Sequence, residues 1–194
     1  MEIKNKKQLN FILESEKQLY LNKDGKIKFL LKKVKREPIY YSWKYVATMR
    51  KANFYYGIRR NSIFSAIMYL YYIRKMNAIG RKNGIECGEH VFDEGLKIFH
   101  TQGIVINGNC KIGTNCRLYG NNCIGNDGIS PECPTVGDNV KICVGAKILG
   151  NVEIADGVVV AAGAVVVNSC NEKNAILAGI PAKIIGYTDK TFLS

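Results

Sequence analysis

From Ile106 to Cys170 an aliphatic residue returns at every sixth position. Ile106, Ile112, Leu118 and Ile124 form one series, and Val136, Ile142, Ile148, Ile154, Val160 and Val166 a second. The two are in phase, because twelve residues separate Ile124 from Val136; the missing member falls on Ser130, inside N-D-G-I-S-P-E-C-P, which reads as a protruding loop. Four residues after most of these aliphatics stands a small or medium side chain: Cys110, Cys116, Val140, Ala146, Val152, Val158, Ala164 and Cys170. A period of six matches neither the 3.6 of a helix nor the 2 of a flat strand. It predicts a chain that turns a corner after each short strand and points every sixth side chain into a shared narrow interior. Phe92 and Ile98 keep the spacing, but the step from Ile98 to Ile106 is eight, so the register slips by two around H-T-Q-G.

Ahead of the repeat the pattern is helical. Residues 1–36 alternate apolar and basic positions at roughly helical spacing, as in Leu9, Ile12, Leu13 and then Ile27, Phe29, Leu30, Leu31, Val34, with a turn expected at Asn22-Lys23-Asp24-Gly25. Pro38 marks a boundary before a helix expected over 40–52, which carries Trp43. Asn61-Ser62 offers an N-cap for a last helix running to Gly80 or Gly84. At Ile85 lysine becomes rare and glycine and β-branched residues take over. The expected division is a basic α-helical region over 1–84, a repeat domain over 85–187 and a tail over 188–194.

The net charge of +12 divides at the same boundary: 20 Lys+Arg against 5 Asp+Glu up to Gly84, and 8 against 11 beyond it. Basicity belongs to the helices. It suits solvated helix faces or an anionic partner. Nine of the eleven tyrosines lie in the helical part at helix spacing, which favours packing over nucleic-acid binding; no nucleic-acid partner is expected. After packing, peripheral membrane contact through Ile63–Ile73, flanked by Arg59, Arg60, Arg74 and Lys75, ranks above nucleic acid as a use of this part. That run is about half of the roughly 20 residues a membrane span needs, and the polar N-terminus carries no signal-peptide pattern, so a cytoplasmic location is expected. Of the seven cysteines three occupy the small slot of the repeat; no C-x-x-C occurs, and neither a disulfide framework nor a metal site is expected.

The hexads I-G-T-N-C-R, V-G-D-N-V-K and I-A-D-G-V-V, with the ending G-I-P-A-K-I-I-G, resemble the left-handed β-helix (hexapeptide-repeat) acyltransferases. More narrowly, H-V-F-D-E-G-L-K-I-F-H, H-T-Q-G-I-V-I-N and P-T-V-G-D-N-V-K-I-C-V-G-A-K-I-L-G-N-V-E-I are similar to the serine acetyltransferase group, and especially to its branch that O-acetylates capsular and exopolysaccharide sugars. The resemblance spans about Ile85 to Gly186. It implies a mainly β fold, a left-handed parallel β-helix with three hexads per coil behind the α-helical N-terminal region. It also implies a homotrimer with active sites between neighbouring prisms, acetyl-CoA as co-substrate and no metal.

Acetyl transfer from a thioester to a hydroxyl needs a base to take the alcohol's proton during attack, and imidazole suits this near neutral pH. The chain has two histidines, His90 and His100. By resemblance His100, in H-x-x-G-I-V at the slip, is the catalytic one, with His90 expected on the surface. Glu86 stands close to the place of the family's acidic partner, with Asp93 and Glu94 as alternatives. The positions matching the acetyl-CoA groove are Gly125, Asn126, Val144, Gly145, Ala162 and Gly163, whose backbone N–H groups are candidates to polarise the thioester, and Lys183 is a candidate for the nucleotide phosphates. Where serine-specific enzymes carry aspartate, arginine and a second histidine on the acceptor side, this chain has Phe99, Glu132 and Cys133. Losing the partners of an amino acid's ammonium and carboxylate favours a sugar hydroxyl as acceptor, with serine as the alternative and a non-catalytic trimeric scaffold as the alternative of another kind. A zinc-dependent carbonic anhydrase of this fold needs three histidine ligands, more than the chain has.

Overall fold

The computed structural model describes residues 3–21 and 26–189. The turn expected at Asn22–Gly25 and the last five residues lie outside them. Four helices come first: α1 (Lys6–Leu21), α2 (Lys26–Val34), α3 (Pro38–Ile58) and α4 (Ile63–Asn83). The third runs well past the expected 40–52, since nothing between Ala52 and Ile58 breaks a helix except Gly57. The Ser62 hydroxyl accepts from the Ser65 N–H, as an N-cap should, and Gly84 closes α4 at φ +68°. No helix among the described residues is long and apolar enough to cross a membrane.

Short strands separated by corners then follow. They are β1 (Ile85–Cys87), β2 (Lys97–Ile98), β3 (Ile104–Ile106), β4 (Lys111–Ile112), β5 (Arg117–Leu118), β6 (Cys123–Gly125) and β7 (Thr135–Val136). The series continues with β8 (Lys141–Ile142), β9 (Lys147–Leu149), β10 (Glu153–Ile154), β11 (Val159–Val160), β12 (Val165–Val166), β13 (Ala175–Gly179) and β14 (Ala182–Tyr187). They build three sheets: a first face β1-β3-β6-β9-β12, a second face β4-β7-β10 and a third face β2-β5-β8-β11-β13-β14. All pairs are parallel except the closing β13–β14 hairpin. This is the left-handed β-helix that the resemblance implies, built of the corner-turning short strands that the repeat predicts and preceded by helices.

The register counts the coil. Val136 pairs with Ile154, Ile142 with Val160 and Ile148 with Val166, an advance of eighteen residues each time. Ile98 pairs with Leu118, an advance of twenty, so the H-T-Q-G turn carries the two extra residues. Ile124 pairs with Ile148, an advance of twenty-four, so the 126–134 loop adds one hexad. Every aliphatic of the two series is buried, and so is every residue named for the small slot. At two corners the turn residue has positive φ in successive coils: Gly95, Asn115, Asn139, Gly157 and Asn174 at one, Gly103, Asn121, Gly145 and Gly163 at the other. Only Gly and Asn enter that region cheaply, which is why the hexads alternate between them.

Aromatic residues of the helical part are used for packing, as their spacing suggests: Trp43 lies against Tyr20 and Tyr55 stacks on Tyr72. The Tyr20 hydroxyl, buried, donates to the Leu96 carbonyl and accepts from the Ile98 N–H, joining α1 to the strand that precedes His100.

Candidate active site

His100 follows β2 at the corner between the third and first faces, with its side chain exposed. The turn that bears it rests on the next coil: Asn121 N–H donates to the Gln102 carbonyl at 2.7 Å, and a Cβ on Gly120 would fall 2.8 Å from the His100 carbonyl oxygen and 2.9 Å from its Cβ. Gly120, at φ +100°, is therefore the floor under the histidine. Below it the corner continues through small residues, since Gly145 N–H donates to the Gly120 carbonyl and Gly163 N–H to the Val144 carbonyl. Val144, Gly145, Ala162 and Gly163 thus form one column with His100 at its head. A Cβ on Gly163 would meet nothing within 4 Å, so the column is open to an extended ligand. The N–H groups of Gly145 and Gly163 are spent within the corner, however, and neither can polarise a thioester as the sequence suggested.

Gly125 and Asn126 stand at the other edge of the first face. Gly150 N–H donates to the Gly125 carbonyl, and Asn126 ties Asn107 to the Ser130 carbonyl at the root of the protruding loop. Between the two edges runs an outward column in register, Glu86, Val105, Cys123, Lys147 and Val165. The first face thus carries Glu86 in its outward column, His100 with Val144, Gly145, Ala162 and Gly163 along one edge, and Gly125 and Asn126 at the other. Glu86 also lines a cleft of about 1020 Å³ beneath α4, with Met76 and Arg81 opposite. His100 does not line that cleft, and within the single chain no ion pair or hydrogen bond joins it to Glu86. Asp93 and Glu94 belong to a different corner, where Asn115 N–H donates to the Glu94 carbonyl, so they are not alternatives to Glu86.

On the third-face side of His100, the Phe99 ring stacks on Tyr119 with centroids 4.4 Å apart and planes 7° apart, and Lys97 Nζ lies 4.6 Å from the Phe99 centroid. In the loop, Asp127 accepts from the Ile129 and Ser130 N–H groups, which hold its carboxyl below the usual carboxylate range. The Ser130 side chain does the same to Glu132. Cys133 is half-buried at the loop's end, its thiol toward the Pro131 carbonyl; burial, with Cys133 nearby, pushes the Cys110 thiol up to about 12. Lys183 is exposed on β14 opposite Ala178, in the hairpin that closes the prism. Among the described residues no cluster of three or more His, Cys, Asp or Glu is placed to hold a metal.

His90, expected at the surface, keeps an exposed edge but is anchored. Its Nδ1 lies 3.0 Å from the Asn53 amide, its Nε2 3.5 Å from Glu89, and its ring packs on Tyr56. Asn122 was not singled out by the sequence reading. It occupies the small slot four residues after Leu118, fully buried, and there accepts from Gly120 N–H and donates to the Cys143 and Ala146 carbonyls. A polar residue at an apolar slot was the available signal.

Comparison with known proteins agrees with this architecture. Residues 133–168 match the model for the bacterial transferase hexapeptide (six repeats). A serine acetyltransferase of Staphylococcus xylosus is 36% identical over 104 residues, which is 53% of this chain and 45% of that protein. The chain is thus similar to bacterial hexapeptide transferases over residues 133–168 and to serine acetyltransferases over 104 residues. A crystal structure of serine acetyltransferase from Brucella abortus strain S19 in complex with coenzyme A superposes with a TM-score of 0.72 at 23% identity, covering 95% of this chain and 70% of that one. The Neisseria gonorrhoeae serine acetyltransferase in complex with serine superposes with a TM-score of 0.67 at 20% identity, covering 93% and 70%. At these identities the superpositions speak for the fold. The chain spans about half the length of the curated relatives it matches.

Proposed function

We propose that this serine acetyltransferase-like protein moves the acetyl group of acetyl-CoA to a hydroxyl acceptor, with His100 as general base. The observation that carries the reading is the corner column at one edge of the first face, where an exposed histidine heads a run of small residues open to an extended thiol cofactor. An imidazole nitrogen of His100 takes the acceptor's proton as its oxygen attacks the thioester carbon. The C–S bond then breaks, and the imidazolium returns the proton to the CoA sulfur. Val144, Gly145, Ala162 and Gly163, with Gly125 and Asn126 across the face, would lie along the pantetheine arm, and Lys183 would meet the phosphates. Glu86, on the same face, is the carboxylate proposed to steady the imidazolium. A flat face with aliphatics such as Val105, Val144 and Val167 about half exposed suits coverage by a second prism, so the working unit proposed is a homotrimer.

Serine is the acceptor that the similarities support, since the relatives and structures compared are serine acetyltransferases and one was solved with serine. A sugar hydroxyl is the second reading. It is favoured by the stacked Phe99–Tyr119 pair beside His100, which offers no charge to a free amino acid, and by Glu132 in the loop, which would repel the amino acid's carboxylate; no similarity ties the chain specifically to capsular or exopolysaccharide enzymes. Both are tested by following CoA release from acetyl-CoA with serine, with UDP-sugars and with oligosaccharides, for the wild type and His100→Ala. Loss of about 10²–10⁴-fold in the variant is expected for a removed base. Unchanged turnover would sink the mechanism, release with serine alone would reject the sugar, and the absence of release with every acceptor would point to the scaffold. Glu86→Gln is expected to lower kcat more than it raises the acetyl-CoA KM, and an unchanged kcat would remove Glu86 from the mechanism.

A further inference from the structure

The N-terminal half of α4 turns its apolar side outward. Ile63 is 80% exposed, Phe64 63%, Ile67 56%, Leu70 57% and Tyr71 50%. At about 100° per residue these five positions fall within an arc of about 120°, a continuous stripe rather than scattered exposed side chains. The helix has a buried side as well: Ser65, Met76, Ile79 and Gly80 face inward. So the outward stripe is surplus to what holds α4 in place. Scattered exposed apolar residues need no explanation, whereas a stripe of this width does.

Charge decides what would cover it. Between Pro38 and Asn83 the chain carries nine Lys and Arg and not one Asp or Glu. Arg60 and Arg74 are exposed at the two ends of the stripe, and Arg74 lies on its midline one turn beyond Leu70. Lys75, further round the helix, reaches the Tyr71 hydroxyl with its ammonium. A second copy of the same surface would set these cations against each other with no carboxylate between Pro38 and Asn83 to answer them. A bilayer rich in anionic headgroups answers both features at once: the apolar residues enter the acyl boundary and the cations stay in the headgroup layer.

We infer that the α4 stripe is a docking surface for an anionic membrane, and that the protein works at the bilayer without spanning it. None of the five stripe residues lines the cleft that Glu86 shares with α4, and the test reads vesicle binding rather than turnover, so it is independent of the acyl-transfer reading.

The experiment is co-sedimentation of the full chain with vesicles of phosphatidylcholine alone or mixed with phosphatidylglycerol, at low and high salt. Binding is expected to the mixed vesicles only, and to weaken as salt screens the cations. Ile63→Glu with Ile67→Glu is expected to lower the partition coefficient about tenfold or more, given the apolar area withdrawn from the bilayer. Arg60→Gln with Arg74→Gln, which leaves the stripe and fold intact, is expected to lower it several-fold, with circular dichroism confirming helix content in both variants. Failure of the wild type to sediment with anionic vesicles would overturn the inference, and so would binding that both variants retain. A wild-type assembly that Ile63→Glu with Ile67→Glu dissociates, without lipid binding, would assign the stripe to a second copy instead.

Discussion

Arg50 Nη2 stands 2.7 Å from Glu16 Oε1, and neither side chain reaches solvent. The pair does more than neutralise itself. Arg50 also donates to the Phe92 and Asp93 carbonyls, and Glu16 accepts from the Gly95 and Leu96 N–H groups, so two helices and the first coil of the prism meet at one ion pair. Both ions are fully hydrogen-bonded, the condition under which a buried pair recovers its desolvation cost. Removing one partner leaves the other charge buried alone. Arg50→Met or Glu16→Gln is therefore expected to cost about 3–5 kcal/mol, read from urea denaturation. The double replacement should cost less than the two single losses added together. Additive losses would mean that the two side chains act independently.

Gly120 is the next position whose chemistry is set by a neighbour. An alanine there would place its Cβ against the His100 carbonyl and Cβ, on a backbone at φ +100° that L-residues avoid. The strain costs about 1–3 kcal/mol, and relief requires the His100 turn to move. Misplacement of a catalytic group by about 1 Å can cost about 10²-fold in rate. Gly120→Ala is expected to lower kcat by that order while the acetyl-CoA KM changes little. Equal kcat in the two proteins would show that His100 does not depend on this floor.

How much of this was legible in the chain differs from one feature to the next, for physical reasons. The interior columns could be read because a period of six leaves a regular trace, and Ile106 to Val166 all point inward as that trace requires. The slip at His100 could be read because the coil that carries it is two residues longer than eighteen; its role as base comes from the resemblance. The Glu16–Arg50 pair left no trace, since its partners are 34 residues apart on separate helices and four of the bonds they make go to backbone groups. The relation of Glu86 to His100 was equally hidden. Both reach the first face, but their approach depends on side-chain direction and on what covers that face, neither of which a spacing of fourteen records.

Asn122 is the buried amide that holds the Gly120 turn. Replacing it with valine, the residue type found at several other small slots, keeps the packing but leaves Gly120 N–H and the Cys143 carbonyl without this partner. Unsatisfied buried groups cost about 1–3 kcal/mol. Asn122→Val is expected to lower the denaturation midpoint accordingly and to reduce kcat in the same direction as Gly120→Ala. A variant as stable as the wild type would show that the amide is a passenger in its slot.

His90 supplies a pH dependence of known sign. Burial lowers its pKa below the ordinary value, against the pull of Glu89 in the other direction, and Arg59 adds to the lowering. The folded chain therefore holds the neutral ring where the unfolded chain, titrating near about 6.5, already binds a proton. Stability from this site is present above that value and is lost as pH falls from it through the lower folded value, below which the loss levels off. The neutral ring is the form whose Nδ1 accepts from the Asn53 amide, so protonation also removes a bond between α3 and the first coil. Urea midpoints measured from about pH 7.5 down to about pH 5 should fall more steeply for the wild type than for His90→Gln, which cannot take up a proton in that window. Because the side chain is 39% exposed, solvent screens much of the effect, and the expected signature is the difference in slope between the two proteins rather than its size. Identical slopes would remove His90 from the acid sensitivity of the helix–prism junction.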